Sequence, residues 1–178
     1  MTNHESDLKE KILVVDENNV PTGLVKERGL VHQDGDWHRI TAVYIMNKNK
    51  EILCQERHQQ TDPAVFAGKW QPYVGGHILH DETPIQNAIR EIKEELGLSV
   101  TATNMRSGPV RRSNPNHIWI YTFLYKFSGK MEDVSFPDNA ITQITFLSYD
   151  RITLSMTNDP NRWASRMNSM EQMRQHLT

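Results

Sequence analysis

A single cysteine in 178 residues, Cys54, leaves no partner for an internal disulfide and no thiolate set for a cysteine-rich zinc site. That scarcity fits a reducing compartment, and a cytoplasmic protein is expected. Apolar runs are short: none approaches the roughly 20 residues that span a bilayer, so no membrane association is expected. The first of them, Ile12 to Val15, follows a polar opening and is far shorter than the apolar stretch of a secretory leader. A basic surplus is also missing, with 20 Lys and Arg against 22 Asp and Glu. Nucleic-acid backbones are held by clustered cations that release counterions, so there is no strong signal for that partner. Repeats and low-complexity tracts are absent too.

What remains is the composition of a soluble globular protein, 37% hydrophobic and 24% charged. The length suits one domain. We expect it to span 1–178, with a strand and turn extension over 1–37, a core over 38–150 and a C-terminal helix over 160–177. Lys11 to Val15 reads as a strand, Asp16 to Gly23 as a turn, and a short helix or loop follows. His38 to Met46 and Glu51 to Arg57 read as antiparallel strands around Asn47 to Lys50, with Cys54 as a small buried hydrophobe. His58 to Lys69 reads as a loop and Trp70 to Val74 as a short strand. His117 to Phe127 is the most β-rich run, and Ile141 to Leu147 is a further strand. Trp163, Met167, Met170, Met173 and Leu177 recur at helical spacing, a Met-rich stripe read as core packing.

Thr83-Pro84-Ile85-Gln86 combines an N-cap, a proline at the first helical position and a capping glutamine, while Gly97 supplies a stop. The spacing predicts a helix from Pro84 to Leu96. At about 100° per residue, Ile85, Ala88, Ile89, Ile92 and Leu96 form an apolar stripe, and Glu91, Glu94 and Glu95 gather on another flank. Like charges one turn apart weaken a helix by about 0.2–0.5 kcal/mol, a cost that asks for a reason. Gly76, Glu82, Arg90, Glu91, Ile92, Glu94, Glu95, Gly97 and Leu98 stand in the register G-x5-E-x7-R-E-U-x-E-E-x-G-U, where U is a bulky aliphatic residue. A chance match in a chain of this length is rarer than about one in a million.

This register resembles the signature of the Nudix hydrolases, and the β-α-β order is similar to their α/β fold, a mixed sheet between helices. The resemblance implies a metal-dependent hydrolase that cleaves a diphosphate linkage in a nucleoside diphosphate derivative or related metabolite. A hard cation, Mg²⁺ or Mn²⁺, would turn the repulsion on the acidic flank into attraction while bridging phosphate oxygens. Carried over residue by residue, Glu91, Glu94, Glu95 and the Gly75 carbonyl would bind metal, with one glutamate as base. Arg90 would orient a neighbouring glutamate, and Glu82 would act through water or suit the helix dipole. Which carboxylate is the base stays open. Among further acids, Glu132, Asp133 and Asp138 are available, but Asn139 stands where related hydrolases often place one.

The DENNVPTG segment, His32 to His38, Ala67 to Trp70 and Gly75 to His77 resemble the branch related to isopentenyl diphosphate isomerase. Isomerisation is therefore the rival activity, and a non-catalytic Nudix-fold ligand sensor is a third reading. Gly75, however, occupies the position of the isomerases' catalytic cysteine, and Asn114 to Ile120 carries no glutamate, whereas the hydrolase glutamates are all present. His32, His38 and His77 invite a second metal, against the plainer reading of hydrogen-bonded histidines. For the small-molecule substrate, Arg57, Arg111 and Arg112 would meet phosphates, Trp70 or Trp119 would stack on a base, and His77 lies beside the glycine pair. A homodimer is the default assembly.

Overall fold

The computed structural model describes residues 7–59, 66–137, 140–165 and 167–176. The sequence expectations at Asp138, Asn139 and Leu177, and for 60–65 of the loop, lie outside them. The first elements are β1 (Lys11–Val15), β2 (Pro21–Glu27) and α1 (Arg28–Asp34). Then come β3 (His38–Met46), β4 (Ile52–Arg57), β5 (Trp70–Gln71) and α2 (Pro84–Leu96). The second half adds β6 (Met105–Ser113), β7 (Ile118–Lys126), β8 (Ile141–Leu147), α3 (Tyr149–Asn158) and α4 (Met167–Met173).

Strands β1 and β2 form a hairpin of their own. The main sheet runs β5-β4-β3-β7-β6, with β8 along β4. It is mixed: β3 and β7 are parallel, and the other pairs are antiparallel. Because side chains alternate along a strand, one face carries Val43, Ile45, Leu53 and Phe123 toward α2. The other carries Tyr44, Met46, Cys54 and Leu124 toward α3 and α4. Cys54 is fully buried there, and burial pushes its thiol pKa far up, as expected of a packing residue.

Strands β3 and β4 pair only at Met46 and Ile52, then splay apart. The chain after Trp70 fills the gap. On one side it pairs with Gln55 and Glu56 through Gln71 and Trp70. On the other, Val43 and Val74 exchange two backbone bonds, Thr41 N–H donates to Gly76 O at 2.9 Å, and Ile78 N–H donates to Arg39 O at 3.0 Å. Gly75 and Gly76 are thereby threaded into the sheet, under α2.

Several expectations are corrected. A strand, β2, precedes the short helix, and the expected Trp70–Val74 strand is regular only at Trp70–Gln71. The terminal helix is broken into a 3₁₀ turn at Pro160–Arg162, α4, and a second turn at Arg174–His176. Its stripe is nevertheless core, since Trp163, Met170 and Met173 are buried.

Candidate metal and active site

Local signals place α2 where it is. Thr83 and Gln86 form a reciprocal capping box, Pro84 opens the helix, and Gly97 closes it at φ 68°. Ala88, Ile92 and Leu96 are fully buried against the sheet, which fixes the helix rotation. That rotation carries two charges inward: Glu91 and Glu95 keep only 8% and 4% of their exposure. Glu94 is not gathered with them. Its side chain stays 49% exposed and pairs with Arg90 Nη1 at 2.7 Å, so the expected trio divides into two buried acids and one surface acid.

Arg90 ties the acidic residues together. Its Nε and Nη2 donate to the two oxygens of Glu82 at 2.7 and 3.2 Å, and Nη2 also lies 3.0 Å from Glu91 Oε1. Glu82 takes further bonds from the Leu79 N–H and from Asn87 Nδ2. With these donors around it, its pKa lies below the ordinary value despite the opposing cost of burial. Asn87, wholly buried, donates to the His77 carbonyl at 2.7 Å and accepts from the Thr41 hydroxyl at 2.5 Å. Helix α2 is thus pinned to the glycine segment by polar bonds.

The glycines permit a close approach. Gly75 sits at φ 151°, and a Cβ there would drive into the Thr41 carbonyl. A Cβ on Gly76 would lie 2.6 Å from Glu91 Oε1, so the backbone forms a wall against that carboxylate. Burial, then the neighbouring Glu95 charge, raises the Glu91 pKa to about 8, with Arg90 pulling the other way.

Glu95 is held from β4. Gln55 Nε2 donates to its Oε2 at 3.0 Å, and Arg57 Nη1 lies 3.0 Å from its Oε1. Leu53, Gln55 and Arg57 share one strand face, so the alternation that packs Leu53 also delivers both polar groups to Glu95. Of the substrate candidates, Arg57 is therefore part of the acidic site.

The others lie elsewhere. Trp70 is a buried core residue packed by Trp163, a place that corrects its expected stacking role. Arg111 lines a cleft of about 490 Å³ with Gln172 and His176, near the C-terminal segment. Arg112 stacks over Trp37 at 4.5 Å, near Trp119, and pairs with Glu17. Asp133 closes its own turn by accepting the Lys130 N–H at 2.7 Å.

His32, His38 and His77 converge from α1, β3 and the glycine segment, with ligand nitrogens within 4.8 Å of one another. His32 Nε2 and His77 Nε2 are 2.9 Å apart, and the rings of His38 and His77 stack at 5.1 Å. Burial lowers His38 to about 4 and His77 well below its usual value. Both rings are thereby kept neutral, as metal ligands must be.

Sequence reasoning missed Thr41, Gln55 and Asn87. Gln55 alternates with Leu53, but nothing in the sequence announces that its partner lies 40 residues away.

A family profile described as NUDIX domain matches residues 36–167. The chain belongs to the Nudix family. Among curated Nudix relatives, an isopentenyl-diphosphate Delta-isomerase from Pectobacterium atrosepticum is 28% identical over 87% of this chain and 86% of its own. The uncharacterized Nudix hydrolase lin0387 of Listeria innocua is 33% identical over 53% of this chain and 54% of its own. The chain thus spans about half of that relative's length. Among solved Nudix-like folds, DR0079 from Deinococcus radiodurans aligns with a TM-score of 0.71 at 16% identity, covering 93% of this chain and 98% of that one. The NUDIX domain of Shewanella oneidensis NrtR, crystallised with ADP ribose, aligns at 0.57 and 16% identity, covering 80% and 89%. These alignments establish the shared fold.

Proposed function

We propose that this Nudix protein is a divalent-cation-dependent pyrophosphohydrolase that cleaves the phosphoanhydride of a nucleoside diphosphate derivative or related metabolite. The observation that carries this is the buried pair Glu91 and Glu95, walled by Gly76, where burial and mutual repulsion oppose ionisation of Glu91 until a cation offsets the charge. The donor set is all oxygen, which suits Mg²⁺ or Mn²⁺ rather than a soft metal. Glu91 and Glu95 would hold the ion with the Gly75 carbonyl, and Glu94 would join by giving up Arg90. Bound there, the cation would offset charge on the phosphate oxygens and activate water.

The chain's own residues supply the rest. Arg90 clamps Glu82, so Glu82 orients the arginine and the arginine orients Glu91. Arg57 and Gln55 fix Glu95. One carboxylate of this acidic site would take the proton of the attacking water. A screen of nucleoside di- and triphosphates and nucleotide-linked metabolites with Mg²⁺ or Mn²⁺, with product analysis, tests this reading. Turnover that disappears in Glu95→Gln and Glu91→Gln supports it, and unchanged turnover in both variants removes it.

The convergent histidines favour one second reading, isopentenyl diphosphate isomerisation. Their three nitrogens fit a separate metal. Against it stand Gly75 in the cysteine position and the burial of Cys54 in the core. Dimethylallyl diphosphate formed from isopentenyl diphosphate without phosphate release would decide for the isomerase.

A further inference from the structure

Gln55 is fully buried on β4, and its amide hydrogens have two acceptors: Nε2 donates to the Tyr73 carbonyl at 3.0 Å and to Glu95 Oε2 at 3.0 Å. These acceptors fix the orientation of the amide, because the reverse would set Oε1 against a carbonyl and a carboxylate. Oε1 therefore points in a defined direction, and among the described residues it has no hydrogen-bond donor. Buried acceptors without donors are rare and call for a water, an ion or a functional role. Leu53, two residues earlier on the same face, shows that this strand accepts an apolar side chain.

We propose that Gln55 is a positioning residue for the cation site. Its nitrogen holds Glu95, and its Oε1 accepts a hydrogen bond from a water in the cation's hydration shell, fixing where that water sits. The inference rests on the reading of Glu91 and Glu95 as cation ligands. Mg²⁺ keeps several of its waters, and their hydrogens need acceptors. A carboxylate at position 55 would provide one, but it would set a negative charge against Glu95 Oε2, which the Gln55 amide now holds at 3.0 Å. Glutamine provides the acceptor without the charge, and it holds the neighbouring carboxylate as outer-shell partners of metal ligands do.

The test is Gln55→Met, which keeps the side-chain length and removes donor and acceptor. Mn²⁺ binding is read from the resonance of the free ion, and unfolding temperature is measured in EDTA and in saturating Mn²⁺. The Mn²⁺ dissociation constant is expected to rise about tenfold, with a smaller Mn²⁺-induced gain in unfolding temperature. Wild-type affinity and gain, with a lower unfolding temperature in EDTA, would overturn the proposal and leave Gln55 holding only the Tyr73 segment. If Gln55→Met does not fold, Gln55→Asn, which retracts the oxygen by one methylene, is judged by the same two comparisons. Parallel Glu91→Gln and Glu95→Gln variants separate the failures. Loss of Mn²⁺ binding in them beside a silent Gln55 variant sinks the positioning role alone, whereas wild-type binding in both removes the cation site itself.

Discussion

Arg57 Nη1 lies 3.0 Å from Glu95 Oε1, and the two side chains keep only 16% and 6% of their exposure. A charge pair so sheltered is harmful to break from one side, because the remaining ion stays buried without compensation. Arg57→Ala should therefore destabilise the metal-free protein by about 3 kcal/mol, measured by urea unfolding in EDTA. Adding Mg²⁺ should recover part of that loss, since a cation takes over the neutralisation of Glu95. In the double variant with Glu95→Gln, the total loss should fall short of the sum of the single losses.

Glu82 acts on the pair at one remove, through Arg90, which touches Glu91 at 3.0 Å. Glu82→Gln keeps the shape but weakens the bonds at 2.7 and 3.2 Å that aim the guanidinium. Hydrogen bonds to charged groups contribute about 1.5–3 kcal/mol, and a loss of about 1–2 kcal/mol is expected in urea unfolding. Mn²⁺ affinity should change less than threefold, while turnover falls about tenfold, because Glu91 is still present but less well oriented. A Mn²⁺ affinity that collapses in this variant would instead put Glu82 on the metal.

The legibility of this protein from sequence follows the range of each signal. Helix α2 was predicted with the observed bounds because Thr83, Pro84, Gln86 and Gly97 act within a turn of their own positions. Strand β6 was not, because Gly108, Pro109, Arg111 and Arg112 interrupt any apolar alternation; its strand character comes from pairing with β7 across a bulge between Ser107 and Val110. Helix α3 carries β-branched Thr153 and Thr157, which mask a start otherwise marked by the Ser148 cap. At the site, the register of glutamates was readable, but their division was not. Glu94 turns outward because the packed stripe sets the helix rotation and Arg90 holds its carboxylate, and both depend on the assembled fold.

Gly76 should show its role through turnover rather than folding. A Cβ in Gly76→Ala would lie 2.6 Å from Glu91 Oε1, and the atom that must yield is the end of a side chain. Overpacking is relieved by shifting that carboxylate, so the unfolding loss should stay below about 1 kcal/mol. Displacement of Glu91 by even a fraction of an ångström should lower turnover about a hundredfold, because catalytic geometry tolerates little error. Steady-state rates and urea midpoints on the same preparation check both halves.

The pH dependence of metal-free stability isolates Glu91. Its folded pKa is raised to about 8 from the ordinary 4.5, chiefly by burial and then by Glu95. Between those values the folded protein holds a proton that the unfolded chain has released, so this group's stabilisation is lost as pH rises toward 8. His38 works in the opposite sense: its folded pKa, lowered to about 4, makes stability fall as pH drops below 6.5. Above about pH 7 the histidine contribution is flat and the glutamate contribution remains. Urea midpoints in EDTA should accordingly fall from pH 7 to pH 8.5, and Glu91→Gln should flatten that slope. Mg²⁺ should cancel or reverse it, because an ion bound to the deprotonated carboxylate expels the proton, and calorimetric titrations in buffers of different ionisation enthalpy at pH 7 should detect that release. A wild-type midpoint that rises with pH across this interval in EDTA would show that Glu91 is already ionised in the metal-free protein.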